Sequence, residues 1–168
     1  VRIVVSYGRN SNTSIAGVLN NDLNQRRRNM SELIEQLKKH EGFRSKPYLD
    51  INGYTTIGYG FNIDAGVTKY LAEVILRYQV CNAEKQISDK YKWFSALSRE
   101  RKDVIVNMVF NLGIVGFGQF KKMIRAIEFG DDVAVFNEML DSRWAKQVKQ
   151  RAYELANQWR NNAPTYKG

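Results

Sequence analysis

Between residues 43 and 63 the chain changes character, and that change limits the folds open to it. Tyr48, Ile51, Tyr54, Thr55, Thr56, Ile57, Tyr59 and Phe61 are β-branched or aromatic, and Gly53, Gly58 and Gly60 interrupt them. Such side chains pack well on a pleated surface, and Asn52-Gly53 carries the turn chemistry of a hairpin. The segment therefore predicts a small antiparallel sheet. On both sides of it the apolar spacing is helical. Met30, Leu33, Ile34 and Leu37 recur at turns of a helix that Asn29 or Ser31 would cap and Gly42 would stop. Beyond the sheet, Leu71, Val74, Ile75 and Tyr78 mark one helix, and Val104, Ile105, Met108, Val109 and Leu112 another, with Ser98 as its cap. Ile124 and Ile127 mark a short one. Val133, Phe136, Met139 and Leu140 mark a fourth, started by Asp131-Asp132, whose charge suits a helix N-terminus. Val148, Ala152, Leu155 and Trp159 mark the last. The expected fold class is α+β: a helix, a small sheet, then a helical lobe.

Residues 1–29 read differently. Ser6 to Asn24 is rich in Asn, Ser and Gly, and Arg26-Arg27-Arg28 follows, so the segment reads as a polar arm or linker ahead of a domain spanning 30–168. Val1 to Val5 is too short and too soon polar for a signal peptide, and no apolar run reaches the length of a membrane helix. Both initiator removal and cleavage from a longer precursor fit the absence of a leading Met. If the protein acts outside a cytoplasm, another factor must deliver it. A single cysteine, Cys81, excludes an internal disulfide and reads as a small buried hydrophobe. The net charge of +9 favours polyanionic partners without choosing among nucleic acid, membrane surfaces and bacterial wall polymers.

Glu41 falls at the end of the first helix, on its apolar face, and Asp50 follows nine residues later in the hairpin region. Glycoside hydrolysis uses two carboxyl groups in unlike settings, one to give a proton and one to stay ionised. Desolvation at the apolar helix end would raise the pKa of Glu41, while polar neighbours keep Asp50 an anion. Thr56 offers a hydroxyl that could hold water. Spacing alone is weak, and by itself it favours a helix-capping or lysine-paired Glu41 over a catalytic one.

Longer motifs decide the matter. Glu41-Gly42-Phe43-Arg44, Tyr48-Leu49-Asp50 and Gly53-Tyr54-Thr55-Thr56-Ile57-Gly58-Tyr59-Gly60 resemble the signature of phage-type lysozymes, above all those of T-even bacteriophages. Asn107-Met108-Val109-Phe110-Asn111-Leu112-Gly113 resembles the family's central helix, and Ser142-Arg143-Trp144 with Arg151-Ala152 a further block. The resemblance covers roughly residues 30 to 162. It implies a sheet lobe and a helical lobe joined by a long helix near residues 67–88, with Glu41, Asp50 and Thr56 as the catalytic triad. It places Arg151 near the catalytic Glu, where a cation would oppose the effect of burial, and Tyr59, Phe110 and Asn111 on the sugar path. Trp144 is expected in the core. The family often has Gln at 111, and its histidine after Gly60 is Phe61 here.

The activity so implied is a muramidase cleaving the β-1,4 bond between N-acetylmuramic acid and N-acetylglucosamine, without cofactor or metal. The expected partners are peptidoglycan strands and the anionic outer-membrane surface, not nucleic acid, and the chain is expected to be a monomer. The preferred setting is a phage endolysin, made in the host cytoplasm and acting on periplasmic wall after release. The alternative is a lysozyme domain of a virion tail or baseplate, used at entry. A non-catalytic cationic wall-binding module is the reading from another class, and a transglycosylase the nearest chemical rival. If the basic surface steers the protein to the wall, the rate of wall lysis falls steeply between about 0.01 and 0.15 M salt; a rate indifferent to salt would remove that role.

Overall fold

The structure, a computed structural model, describes residues 15–165 and divides into two compact units at Val67 and Thr68. The first unit opens with helix α1, Ile15–Glu41. It starts well before the expected cap, so residues 15–29 are helix where a polar linker was expected, and Asn29 and Ser31 lie inside it. Residues 1–14 of that arm lie outside the described residues. The polar stretch supports its own helix. Residues 19–33 contain neither Gly nor Pro. Asp22 pairs with Arg26 at 3.1 Å, and Gln25 Nε2 donates to Asn29 Oδ1 at 3.1 Å, both four residues apart. Gly42, at φ 67°, ends α1 by donating its amide to the Lys38 carbonyl at 3.1 Å.

Three short strands follow: β1 Arg44–Leu49, β2 Thr55–Gly58 and β3 Phe61–Asn62, antiparallel in that order. Tyr48 faces Thr56, Leu49 faces Thr55, and on the other side Asn62 faces Thr56. The β1–β2 register is irregular between Arg44 and Tyr48, where Pro47 has no amide to give the ladder. The connection spans residues 50–54, longer than a two-residue Asn52-Gly53 turn, with Gly53 at φ 83°.

In the second unit, Thr68 caps α2 (Lys69–Lys90) by accepting the Leu71 amide. A 3-10 helix, Lys92–Ala96, leads to Ser98, which caps α3 (Arg99–Phe117) as expected. Then come α4 Lys121–Phe129, α5 Asp132–Leu140 behind its Asp131 cap, α6 Arg143–Val148 and α7 Gln150–Asn161. The last expected helix is thus two: Lys149, at φ 49°, separates Val148 from Ala152, Leu155 and Trp159.

Helix α3 fills the centre of this unit. Its Val104, Ile105, Met108 and Val109 are buried, together with Ile87, Met123, Val135, Met139 and Leu155 from four other helices. Helix α2 departs from its expected stripe, since Val74, Ile75 and Tyr78 are exposed and Ala83 and Ile87 are what it buries. Cys81 is exposed, not buried, because two residues of helix turn it away from the face that carries Ala83. A polar knot closes the core. The Arg101 guanidinium binds Asp132, stands 5.1 Å over the Trp159 ring, and donates to the Trp159 carbonyl at 3.3 Å. The Trp159 indole donates to Asp132 at 3.2 Å. Trp159→Ala should cost about 3–5 kcal/mol, read from a lowered urea midpoint; a loss below about 1 kcal/mol would mean that the knot and its cavity contribute little.

Candidate active site

Asp50 stands where β1 ends. Its Oδ1 accepts two backbone amides, from Asn52 at 2.8 Å and Tyr54 at 2.9 Å, while its own amide donates to the Tyr54 carbonyl at 2.9 Å. Aspartate folds such turns readily because its short side chain reaches backbone two residues on. The side chain is thereby fixed in direction, and Oδ2 takes no hydrogen bond from the described residues.

Thr56 occupies the middle of the central strand and is 4% exposed. Its Oγ1 donates to the Tyr54 carbonyl at 3.2 Å, which leaves the oxygen's lone pairs to accept. Cross-strand partners share a face of the sheet. Tyr48 faces Thr56, and just beyond β1 the Asp50 amide donates to the Tyr54 carbonyl, so Asp50 closes the same β1–β2 ladder that holds Thr56.

Glu41 is the last residue of α1, and its side chain is exposed. The expectation of an apolar, desolvated setting is not met within this unit, because the face of α1 carrying Leu33, Ile34 and Leu37 is itself exposed. Its carboxylate nevertheless lies against the turn after β2. A Cβ added at Gly60 would stand 3.1 Å from Glu41 Oε2. One turn earlier, Lys38 binds Glu35 at 2.7 Å, and that hydrogen bond and charge hold the ammonium above its usual pKa. Tyr59, next to Gly60, is exposed and packs on Phe43 with ring centroids 5.3 Å apart.

The other expected residues belong to the second unit. Phe110 is half-exposed on α3. Asn111 accepts the Trp144 indole N–H at 2.7 Å, and Trp144 is buried as expected. Arg151 is clamped to α3, donating through Nε and Nη2 to Asn107 Oδ1 at 2.9 and 2.6 Å.

Several supporting residues escaped the sequence reading. Asp64 Oδ2 accepts the Thr55 amide at 2.7 Å and so holds the segment after β3 against the start of β2. An Asp in the turn-rich run Asn62-Ile63-Asp64-Ala65-Gly66 was the available signal. Asn107 and Gly60 are defined only by what approaches them. No cluster of three or more His, Cys, Asp or Glu able to hold a metal occurs among the described residues.

A model of the phage lysozyme family matches residues 38–162. The pre-baseplate central spike protein Gp5 of Enterobacteria phage T4 is 30% identical over an alignment of 154 positions, covering 74% of this chain. This chain spans only 26% of that protein's length. An endolysin of Acyrthosiphon pisum secondary endosymbiont phage 1 is 28% identical, covering 66% of this chain and 75% of that protein. The probable T4-type lysozyme 2 of Dictyostelium discoideum is 26% identical, with coverages of 73% and 90%.

Gly60→Ala should leave the chain folded, at a strain cost of about 1–3 kcal/mol for its φ of 81°. It should lower wall-lysis turnover on the order of a hundredfold by moving the Glu41 carboxylate. Unchanged turnover would mean that Gly60 does not set the position of that acid.

Proposed function

The chain belongs to the phage lysozyme family, glycoside hydrolases of the lysozyme type, and we propose that it is a muramidase acting on the β-1,4 bond between N-acetylmuramic acid and N-acetylglucosamine of peptidoglycan. The observation that carries this reading is the Asp50 carboxylate, fixed in direction by its turn at the end of β1 with one oxygen unengaged, next to the sheet that holds Thr56. Asp50 offers the free Oδ2 and Thr56 offers an oxygen whose proton is already given away. A water molecule that gives one hydrogen to each of two such acceptors keeps a lone pair free. That is the form in which water attacks a sugar carbon.

Glu41 supplies the proton. It protonates the oxygen between the sugars, the bond from that oxygen to C1 of the muramic acid breaks, and the water oxygen bonds to C1 while Asp50 takes up its proton. The products are a reducing muramic acid and a glucosamine with a free 4-hydroxyl, so atoms and charge balance once Asp50 returns its proton to Glu41 through solvent. Asp50 also stabilises the positive charge that grows on the ring. The intact second carboxylate counts against a transglycosylase, which expels the leaving group without water. Tyr59, Phe110 and Asn111 are assigned to the sugar path and Arg151 to the support of the site.

The setting we infer is the endolysin one, with the enzyme made in the host cytoplasm and acting on periplasmic peptidoglycan as a monomer. The similarity to an endolysin over most of that protein's length supports it. The alternative, a domain of a virion tail or baseplate, draws on the similarity to a baseplate spike protein of which this chain spans a quarter. Persistent co-purification with virion proteins would establish the alternative.

On outer-membrane-stripped Gram-negative walls, the native chain should release fragments ending in reducing muramic acid. Glu41→Gln should reduce that release about 10²–10⁴-fold. Anhydro-muramic ends would identify a transglycosylase, and wall binding without release by either protein would identify a binding module.

A further inference from the structure

Between α2 and α3 lies a hollow of about 220 Å³ lined by Gln79, Asn82, Ala83, Gln86, Val109, Phe110 and Gly113. We propose that it is a subsite for one N-acetylglucosamine residue of the glycan strand, an assignment that rests on the muramidase reading and extends it.

The lining has the chemistry of a neutral sugar. Gln79, Asn82 and Gln86 recur at intervals of three and four residues on α2, which places them on one face. Each carboxamide carries two N–H donors and an accepting oxygen, and none of the three side chains hydrogen-bonds to another described residue. A sugar hydroxyl both donates and accepts, and an acetamido group presents one N–H and one C=O, so a row of unengaged carboxamides matches either. The floor is apolar, with Ala83 6% and Val109 2% exposed. Phe110 is 40% exposed and offers a ring on which the C–H face of a pyranose can lie. Gly113 leaves the hollow open: it breaks the helical course of α3 at φ 69°, and a Cβ there would meet nothing within 4 Å.

Charge narrows the ligand. The chain carries +9, yet no charged side chain lines this hollow. The larger hollow beside Trp144, about 590 Å³, is lined by Lys121, Lys122, Arg143, Glu138 and Asp141. The hollow at Asn107 includes Asp103 and Arg151. A lining without cations does not select a phosphate, a nucleic acid or the acidic peptide that muramic acid carries on its lactyl group. It suits the unsubstituted sugar of the strand, and its volume suits one ring.

The test uses the full chain carrying Glu41→Gln, so that binding is read without hydrolysis. Tetra-N-acetylchitotetraose, a neutral glucosamine oligomer, is titrated while the side-chain amide signals of Gln79, Asn82 and Gln86 are followed by nitrogen-15 NMR. Saturable shifts of those signals are expected, as is an affinity about tenfold weaker when all three residues are changed to Ala. Alanine suits a helix, and circular dichroism confirms that the variant folds. In the catalytically intact background, the same triple change should raise KM on peptide-free glycan strands about tenfold while kcat changes less than about twofold. Amide signals that stay still, or an unchanged affinity and KM, would overturn the subsite. Equal shifts with inorganic phosphate would overturn its neutral character. Because the titration needs no turnover, an inactive native chain would end the muramidase reading and still leave the subsite decided.

Discussion

One oxygen of Asp50 receives two backbone amides, and the geometry of the first unit follows from that arrangement. The hydrogen bonds from Asn52 and Tyr54 close the connection between β1 and β2. They set the register that brings Tyr48 opposite Thr56, and Thr56 in turn opposite Asn62. The same bonds occupy one face of the carboxylate and leave the other available. A side chain assigned to chemistry is therefore also the closure of its own hairpin. That dual use constrains it: a carboxamide could fold the turn and would lack the charge, whereas a longer carboxylate would keep the charge and misplace it. Asp64 repeats the device at the same end of β2, taking the Thr55 amide.

The second unit rests on packing, and its polar groups are arranged around that packing. Helix α3 gives its apolar side to Ile87, Met123, Val135, Met139 and Leu155. Its polar side chains then reach outward one at a time. Arg101 ties it to Asp132 and Trp159, Asn107 to Arg151, and Asn111 to Trp144. Each tie satisfies groups that would be costly to leave unpaired at the edge of a core. Asn111 is the instructive case. Its carbonyl accepts the Trp144 indole, which fixes the direction of the carboxamide, and the shorter side chain is long enough for that tie.

Electrostatics divides the surface by task. A net charge of +9 sets up a field that needs no defined contact geometry. The residues assigned to contact and chemistry are mostly neutral or acidic. Asp50, Thr56 and Glu41 lie around the sheet, and carboxamides line the hollow on α2. A cation in direct contact with Asp50 would compete for the oxygen that its turn leaves free. Three basic side chains of the first unit are engaged elsewhere: Lys38 with Glu35, Arg26 with Asp22, and Arg44 over the Tyr48 ring at 4.2 Å.

Local chemistry was legible in the sequence wherever a residue acts on its near neighbours. Gly42, Ser98 and Asp131 stop or start helices through bonds to backbone three or four residues away, and each does so here. The β-branched and aromatic run from Tyr48 to Phe61 forms its sheet for the same reason. The family motif pointed to Glu41, Asp50 and Thr56 as candidates, although nothing local could show where the Glu41 carboxylate comes to rest. The reach of α1 was misread because the polar residues of its first half outweighed the helical spacing of Ile15, Val18, Leu19 and Leu23, and i, i+4 pairs such as Asp22–Arg26 add only a little. The stripe on α2 was misread because Val74 and Ala83 sit on the same helix, and only the neighbours they meet decide which is buried. The sequence by itself determined the sheet segment, most helix boundaries after it and which titratable side chains are at hand, since these follow from short-range backbone chemistry and residue identity. Tertiary structure alone decided the setting of those groups: Glu41 against Gly60, Arg151 on Asn107, Asn111 on Trp144, and a neutral hollow on a basic chain. Each depends on contacts between residues far apart in sequence.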